Sequence, residues 1–161
     1  MSDIVATNQT ILVVGGGISG MTAALEAAEV GKQVILIEKR PFIGGRVSQL
    51  YKYFPKLCFP TCGLEINQRR MNANKNITVL TMSEVTDLQG EAGNYTATVK
   101  ISPRYVNANC TACGDCADAV EAEFDNEFNY NMDKRKGAYL PYTMAQPQRY
   151  VIEPGMIGTD D

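Results

Sequence analysis

Histidine is absent from all 161 residues. That absence excludes histidine-based triads, histidine-ligated metal centres and the commonest general base, so hydrolytic chemistry fits poorly. Long apolar runs are missing too. No window approaches the ~18 residues of a membrane span, and the opening MSDIVATNQT has neither the basic region nor the apolar core of a signal peptide, so the chain is expected in the cytoplasm. Fifteen basic residues stand against 18 acidic ones, a net charge of -3 that gives no footprint for nucleic acid. Cysteine is sparse, at five residues. In a reducing compartment five cysteines point to metal or redox chemistry, not to a disulfide framework. Aliphatic residues fade along the chain: from Asn107 onward the only Val, Leu or Ile residues are Val120, Leu140, Val151, Ile152 and Ile157. A self-sufficient core is not expected there, which leaves a metal-stapled insert, a docking surface or partial disorder.

What is present is concentrated in Thr10 to Arg46, TILVVGGGISGMTAALEAAEVGKQVILIEKRPFIGGR. Ile11 to Val14 read as a parallel strand buried on both faces. Gly15, Gly17 and Gly20 follow at G-x-G-x-x-G spacing, for a tight turn, close approach of a pyrophosphate, and close packing of helix on sheet. Ile18, Met21, Leu25 and Ala28 fall on one helical face, and Gly31 marks the stop. A second strand, Val34 to Ile37, ends in Glu38, placed to accept hydrogen bonds from both ribose hydroxyls of an adenosine and to repel a 2′-phosphate, which argues against NADP. The continuation EKRPFIGGR resembles the extended fingerprint of flavoproteins with two dinucleotide-binding domains, and on that resemblance FAD outranks NAD. The candidate cofactor contacts are Gly15, Gly17, Ile18, Ser19, Gly20, Glu38, Lys39, Gly44, Gly45 and Arg46.

Beyond this unit, Ser48 to Pro60 reads as a loop, Leu64 to Asn72 as a short helix, and Ile77 to Thr81 as a third strand. Ser83 to Gln89 and Tyr95 to Ile101 alternate as a hairpin across Gly90 to Asn94. The expected architecture is an α/β Rossmann-like FAD-binding domain over 1–106, incomplete, with a β-hairpin excursion, and a ferredoxin-like cysteine insert over 107–161, truncated. The sequence stops at GMIGTDD without the Gly-Asp pair that normally completes such a domain, so a truncated product or an N-terminal fragment is expected.

Cys110, Cys113 and Cys116 have C-x2-C-x2-C spacing, which wraps a loop around one cubane, with Gly114 and small alanines permitting the close approach. Val120 and Glu121 stand where ferredoxins place a fourth cysteine and a proline. A remote fourth ligand could be Cys58, Cys62 or a cysteine elsewhere; three thiolates could also hold a three-iron cluster or one with an open corner. Zinc fits less well, with neither a second hook nor histidine. Cys58 and Cys62 could also be passive thiols or, secondarily, a flavin-adjacent redox pair. The aromatics Phe124, Phe128, Tyr130, Tyr139, Tyr142 and Tyr150 are expected to pack around the insert more than to recognise substrate, and Asp133 to Lys136 reads as a solvated turn.

The segments FPKLCFPTCGLEINQRR, PRYVNANCTACGDCA and NEFNYNMDKRKGAYLPYTMAQPQRYVIEP carry a wider resemblance. The chain resembles the N-terminal part of heterodisulfide reductase A subunits, and more closely the A subunit of the quinone-interacting membrane-bound oxidoreductase complex. The resemblance implies FAD, an iron–sulfur cluster of the 4Fe-4S type held by Cys110, Cys113 and Cys116, cytoplasmic placement peripheral to the inner membrane, and partner subunits of the complex. The expected function is electron transfer between FAD and iron–sulfur clusters, with no side-chain acid or base to nominate. Two rivals stand beside it: a non-catalytic assembly module that has lost full flavin binding, and a stand-alone FAD- or NAD-dependent dithiol reductase.

Overall fold

The computed structural model describes residues 10–157. The chain divides into two compact units, between Ser102 and Pro103. In the first unit, Ile11–Val14 (β1), Ile18–Glu29 (α1), Val34–Glu38 (β2), Thr61–Ala73 (α2) and Ile77–Thr81 (β3) form a parallel sheet of order β1-β2-β3 with its connecting helices. The register pairs Val13 with Leu36 and Leu36 with Val79, so these side chains share one face. Against that face pack Met21, Ala24, Leu25 and Ala28 of α1 and Leu64 and Met71 of α2, all buried. The helical stripe therefore runs through Ala24; Ile18, expected on it, is the first residue of α1 and is 38% exposed.

The reading of β1 as buried on both faces is corrected by the structure. Val14 is 66% exposed. Leu12 and Val14 alternate onto the face away from α1, and among the described residues no strand flanks β1 on its outer side. The helix expected from Leu64 begins at Thr61 because Pro60, with φ -65° and ψ -18°, already holds helical geometry at its N-terminal boundary. Arg70 near its end binds Glu29 of α1 at 2.6 Å, fastening the two helices at their C-terminal ends.

Ser83–Glu91 (β4) and Asn94–Ile101 (β5) form an antiparallel hairpin joined by two residues, Ala92 and Gly93, a tighter connection than the five-residue turn expected. The second unit is built from short pieces: the single-turn helix Asp115–Asp118 (α3), Glu123–Asp125 (β6) paired with Lys134–Lys136 (β7), and Ala138–Tyr139 (β8) paired with Val151–Ile152 (β9). Its buried hydrophobic side chains among the described residues are Ala138, Ala145 and Val151. Asp133 to Lys136 is not the solvated turn expected. Lys134 to Lys136 are a strand, and Arg135 turns inward, its guanidinium 3.6 Å from the centre of the Tyr139 ring and 2.8 Å from the Glu153 carboxylate. A charged side chain is drawn in because an aromatic face and a carboxylate together replace its water.

Leu25→Ala should lower stability by about 2–5 kcal/mol, because α1 would leave a cavity against β2 that the sheet cannot close. Lys39→Ala, at an exposed ion pair with Glu84, should change it by less than about 1 kcal/mol. Urea denaturation midpoints at unchanged m value check both.

Candidate functional site

Two clusters of chemistry-bearing residues stand out, one in each unit. In the first unit β1 is followed directly by Gly15, whose N–H donates to the Ile37 carbonyl at 2.7 Å. The chain then turns into α1, with Gly17 at the N-cap. A glycine cap offers no side-chain acceptor, and the first turn of α1 carries no acidic residue. The leading N–H groups, at Ile18, Ser19 and Gly20, are thus left for an external anion, and the macrodipole favours one there. A Cβ on Gly17 would meet no atom within 4 Å, so the backbone is open to a ligand at that point. Gly20 does the opposite work: a Cβ there would lie 1.9 Å from the Gly15 carbonyl oxygen, so only glycine lets α1 sit this close to the turn.

Glu38 closes β2 beside this loop and is buried. Its carboxylate is held by the backbone: Oε2 accepts the Gly16 N–H at 2.6 Å and Oε1 accepts the Arg40 N–H at 2.8 Å. Each oxygen keeps a further lone pair for a ligand hydroxyl. Gly16 is a site residue that motif spacing does not reveal, since the middle position of G-x-G is nominally free. A Cβ there would lie 2.8 Å from Ile43 Cγ2 and 3.0 Å from Glu38 Oε2. The uninterrupted run Gly15-Gly16-Gly17 is the signal that could have found it.

The second glycine pair docks on the first. Gly44 N–H donates to the Gly16 carbonyl at 2.7 Å, Gly17 and Gly44 form a parallel bridge, and Gly45, at φ +58°, approaches so closely that its Cβ would lie 2.9 Å from Gly17 Cα. Buried Ser48 ties off the turn by donating to the Gly45 carbonyl at 2.7 Å. The structure thus brings Gly15, Gly17, Gly20, Glu38, Gly44 and Gly45 into one cradle. Ser19 and Arg46 lie exposed at its margins, while Lys39 is engaged by Glu84 of β4 at 3.0 Å.

The cysteines fall into two groups. Cys58 and Cys62 belong to the first unit, Cys62 in the opening turn of α2, with Tyr53 and Cys58 linked by a backbone bridge and a side-chain hydrogen bond that raises the Tyr53 phenol pKa. Cys110, Cys113 and Cys116 belong to the second. Their loop turns twice through left-handed backbone, at Ala112 (φ +57°) and Gly114 (φ +104°), before α3 starts. Burial pushes the Cys116 thiol pKa up, and the charges of Cys110 and Cys113 add to the shift, which sets the three sulfurs within electrostatic reach of one another. Among the described residues no three Cys, Asp or Glu side chains converge on one metal-ion position. Two residues that the motif does not reveal face this loop. Arg104, whose pKa burial lowers and the Cys110 charge raises, donates to the Arg149 carbonyl at 3.1 Å, and the hydroxyl of Tyr150 overhangs Gly114.

Glu38→Gln tests the carboxylate seat. An amide has one acceptor oxygen where the backbone offers two donors in different directions, so one buried N–H would face an NH2 group. Stability should fall by roughly 1–3 kcal/mol, read from urea unfolding.

Residues 10–110 match the family described as FAD dependent oxidoreductase. Over 142 residues the chain is 42% identical to an iron-sulfur A subunit, the second of its type, of the CoB-CoM heterodisulfide reductase of Methanopyrus kandleri, covering 88% of this chain and 22% of that protein. Over 154 residues it is 40% identical to the iron-sulfur A subunit of the CoB-CoM heterodisulfide reductase of Methanocaldococcus jannaschii, covering 93% of this chain and 23% of the relative. The chain spans less than a quarter of the length of these curated relatives. Among solved structures, L-proline dehydrogenase from P. horikoshii overlaps 58% of this chain and 20% of its own, with TM-score 0.48 and 21% identity. The glycine cradle with its buried carboxylate and the match over residues 10–110 lead to one conclusion: the chain belongs to the FAD dependent oxidoreductase family.

Proposed function

We propose that this chain is the flavin-binding portion of an electron-transfer subunit of the heterodisulfide reductase type, with the quinone-interacting complex as the nearer likeness. The observation that carries the reading is the seating of Glu38 between the Gly16 and Arg40 N–H groups beside an open Gly17. Glu38 would take the ribose hydroxyls of the adenosine, and the N–H groups of Ile18, Ser19 and Gly20 would take the diphosphate. Gly44, Gly45 and Arg46 would border the diphosphate from the second loop. FAD, when bound, supplies the exchange between two-electron and one-electron chemistry. The chain's own contribution is to bind, to orient and to hold charge; no side chain in the cradle is assigned a proton transfer.

In the second unit Cys110, Cys113 and Cys116 would hold an iron–sulfur cluster. Their thiols suit the donor set, and a further ligand would come from outside this loop. Residues 1–106 then serve as the flavin domain and 107–161 as the cluster and docking insert. The working assembly would be cytoplasmic and reach the inner membrane through partner subunits; among the described residues no helix is long and apolar enough to cross a membrane.

Anaerobically purified protein should show flavin absorption bands together with labile sulfide. Neither would leave the assembly-module reading, and flavin without iron the dithiol-reductase reading. Glu38→Ala should raise the dissociation constant for FAD about tenfold or more, as expected for losing charge-assisted hydrogen bonds, while iron content stays constant. Joint loss of flavin and iron in that variant would overturn the role given to Glu38.

A further inference from the structure

Tyr150 lies immediately before β9, beside Val151, which is 2% exposed and faces the small core of the second unit. Side chains alternate along extended chain, so Tyr150 leaves that core and reaches the cysteine loop instead. Its hydroxyl oxygen stands 3.6 Å from the position a Cβ would take on Gly114, the residue between Cys113 and Cys116. The backbone around it is pinned. Arg104 Nη1 donates to the Arg149 carbonyl at 3.1 Å on one flank, and the Ile152 N–H donates to the Arg104 carbonyl at 3.2 Å on the other. The backbone that carries the phenol is thus held on both sides. Burial comes first, followed by the charges of Cys116, Asp118, Cys113 and Cys110, in keeping the Tyr150 pKa above the ordinary phenol value. The phenolic O–H is a hydrogen-bond donor set beside Gly114 in the loop that carries the three cysteines.

We propose that Tyr150 donates a hydrogen bond to the sulfur ligands of the cluster held by Cys110, Cys113 and Cys116, as a residue that tunes its potential. The inference rests on the iron–sulfur reading above. A donor aimed at the sulfurs stabilises the more negative, reduced state more than the oxidised one, and so raises the reduction potential. It also explains why a tyrosine stands at this position, since a phenyl ring would fill the same space.

The test uses the whole chain, reconstituted anaerobically with iron and sulfide, in wild-type, Tyr150→Phe and Tyr130→Phe forms; Tyr130 is 60% exposed and serves as control. The expected result is unchanged iron and sulfide content in all three, with the midpoint potential from an EPR-monitored titration shifted to a more negative value in Tyr150→Phe alone. Equal potentials with full clusters would overturn the proposal while leaving the iron–sulfur reading intact. Loss of iron in Tyr150→Phe would overturn it as well, by making the phenol a ligand or a structural support. A wild-type chain that takes up no labile sulfide would remove the iron–sulfur reading and this inference with it.

Discussion

The carboxylate of Glu38, bonded to the N–H groups of Gly16 and Arg40, is the interaction on which the first unit depends. It ties the end of β2 to the loop that leaves β1, and through the Gly44 N–H to the Gly16 carbonyl it fixes the second glycine loop as well. Three chain segments are thus aligned by backbone groups around one buried carboxylate. Such a charge is tolerable only because each oxygen is satisfied by a hydrogen bond. The hydrophobic packing of α1 and α2 on the sheet supplies bulk stability, and the carboxylate sets the geometry that the packing leaves free.

The second unit solves the opposite problem. It has few aliphatic side chains, and those it buries are small. Its order comes from polar and aromatic contacts: Arg135 over Tyr139 and against Glu153, Phe128 stacked on Tyr142 with ring centres 4.9 Å apart, and Lys134 paired with Asp125. Exposed pairs of the last kind contribute little on their own, whereas Arg135, well enclosed, couples β7 to the segment after β9.

Much of the first unit is legible in the sequence because its signals are local. Apolar periodicity locates β1, α1, β2 and β3, and the glycine spacing with Glu38 locates the cradle. What escapes depends on neighbours. Whether Val14 is covered is decided by what lies beyond β1, and nothing in ILVV encodes that. Lys39 adjoins the acid in sequence, but its partner, Glu84, is on the hairpin. Gly16 passes for a spacer until the Glu38 oxygen and Ile43 fill the volume around it. In the second unit the cysteine spacing is plain, yet Arg135 reads as solvated because charge runs usually are, and Tyr150 cannot be tied to a loop some 35 residues upstream by periodicity alone.

The contacts of the two units also differ in how far along the chain they reach. Gly16 and Glu38 are separated by 22 positions, whereas the Arg104 bond to Arg149 spans 45. Closing a loop of doubled length costs about 0.6 kcal/mol more in chain entropy. The glycine cradle is therefore the easier ring to close and favours early assembly during folding, while the cysteine-bearing half must wait for a distant tail to return before its clamp can shut.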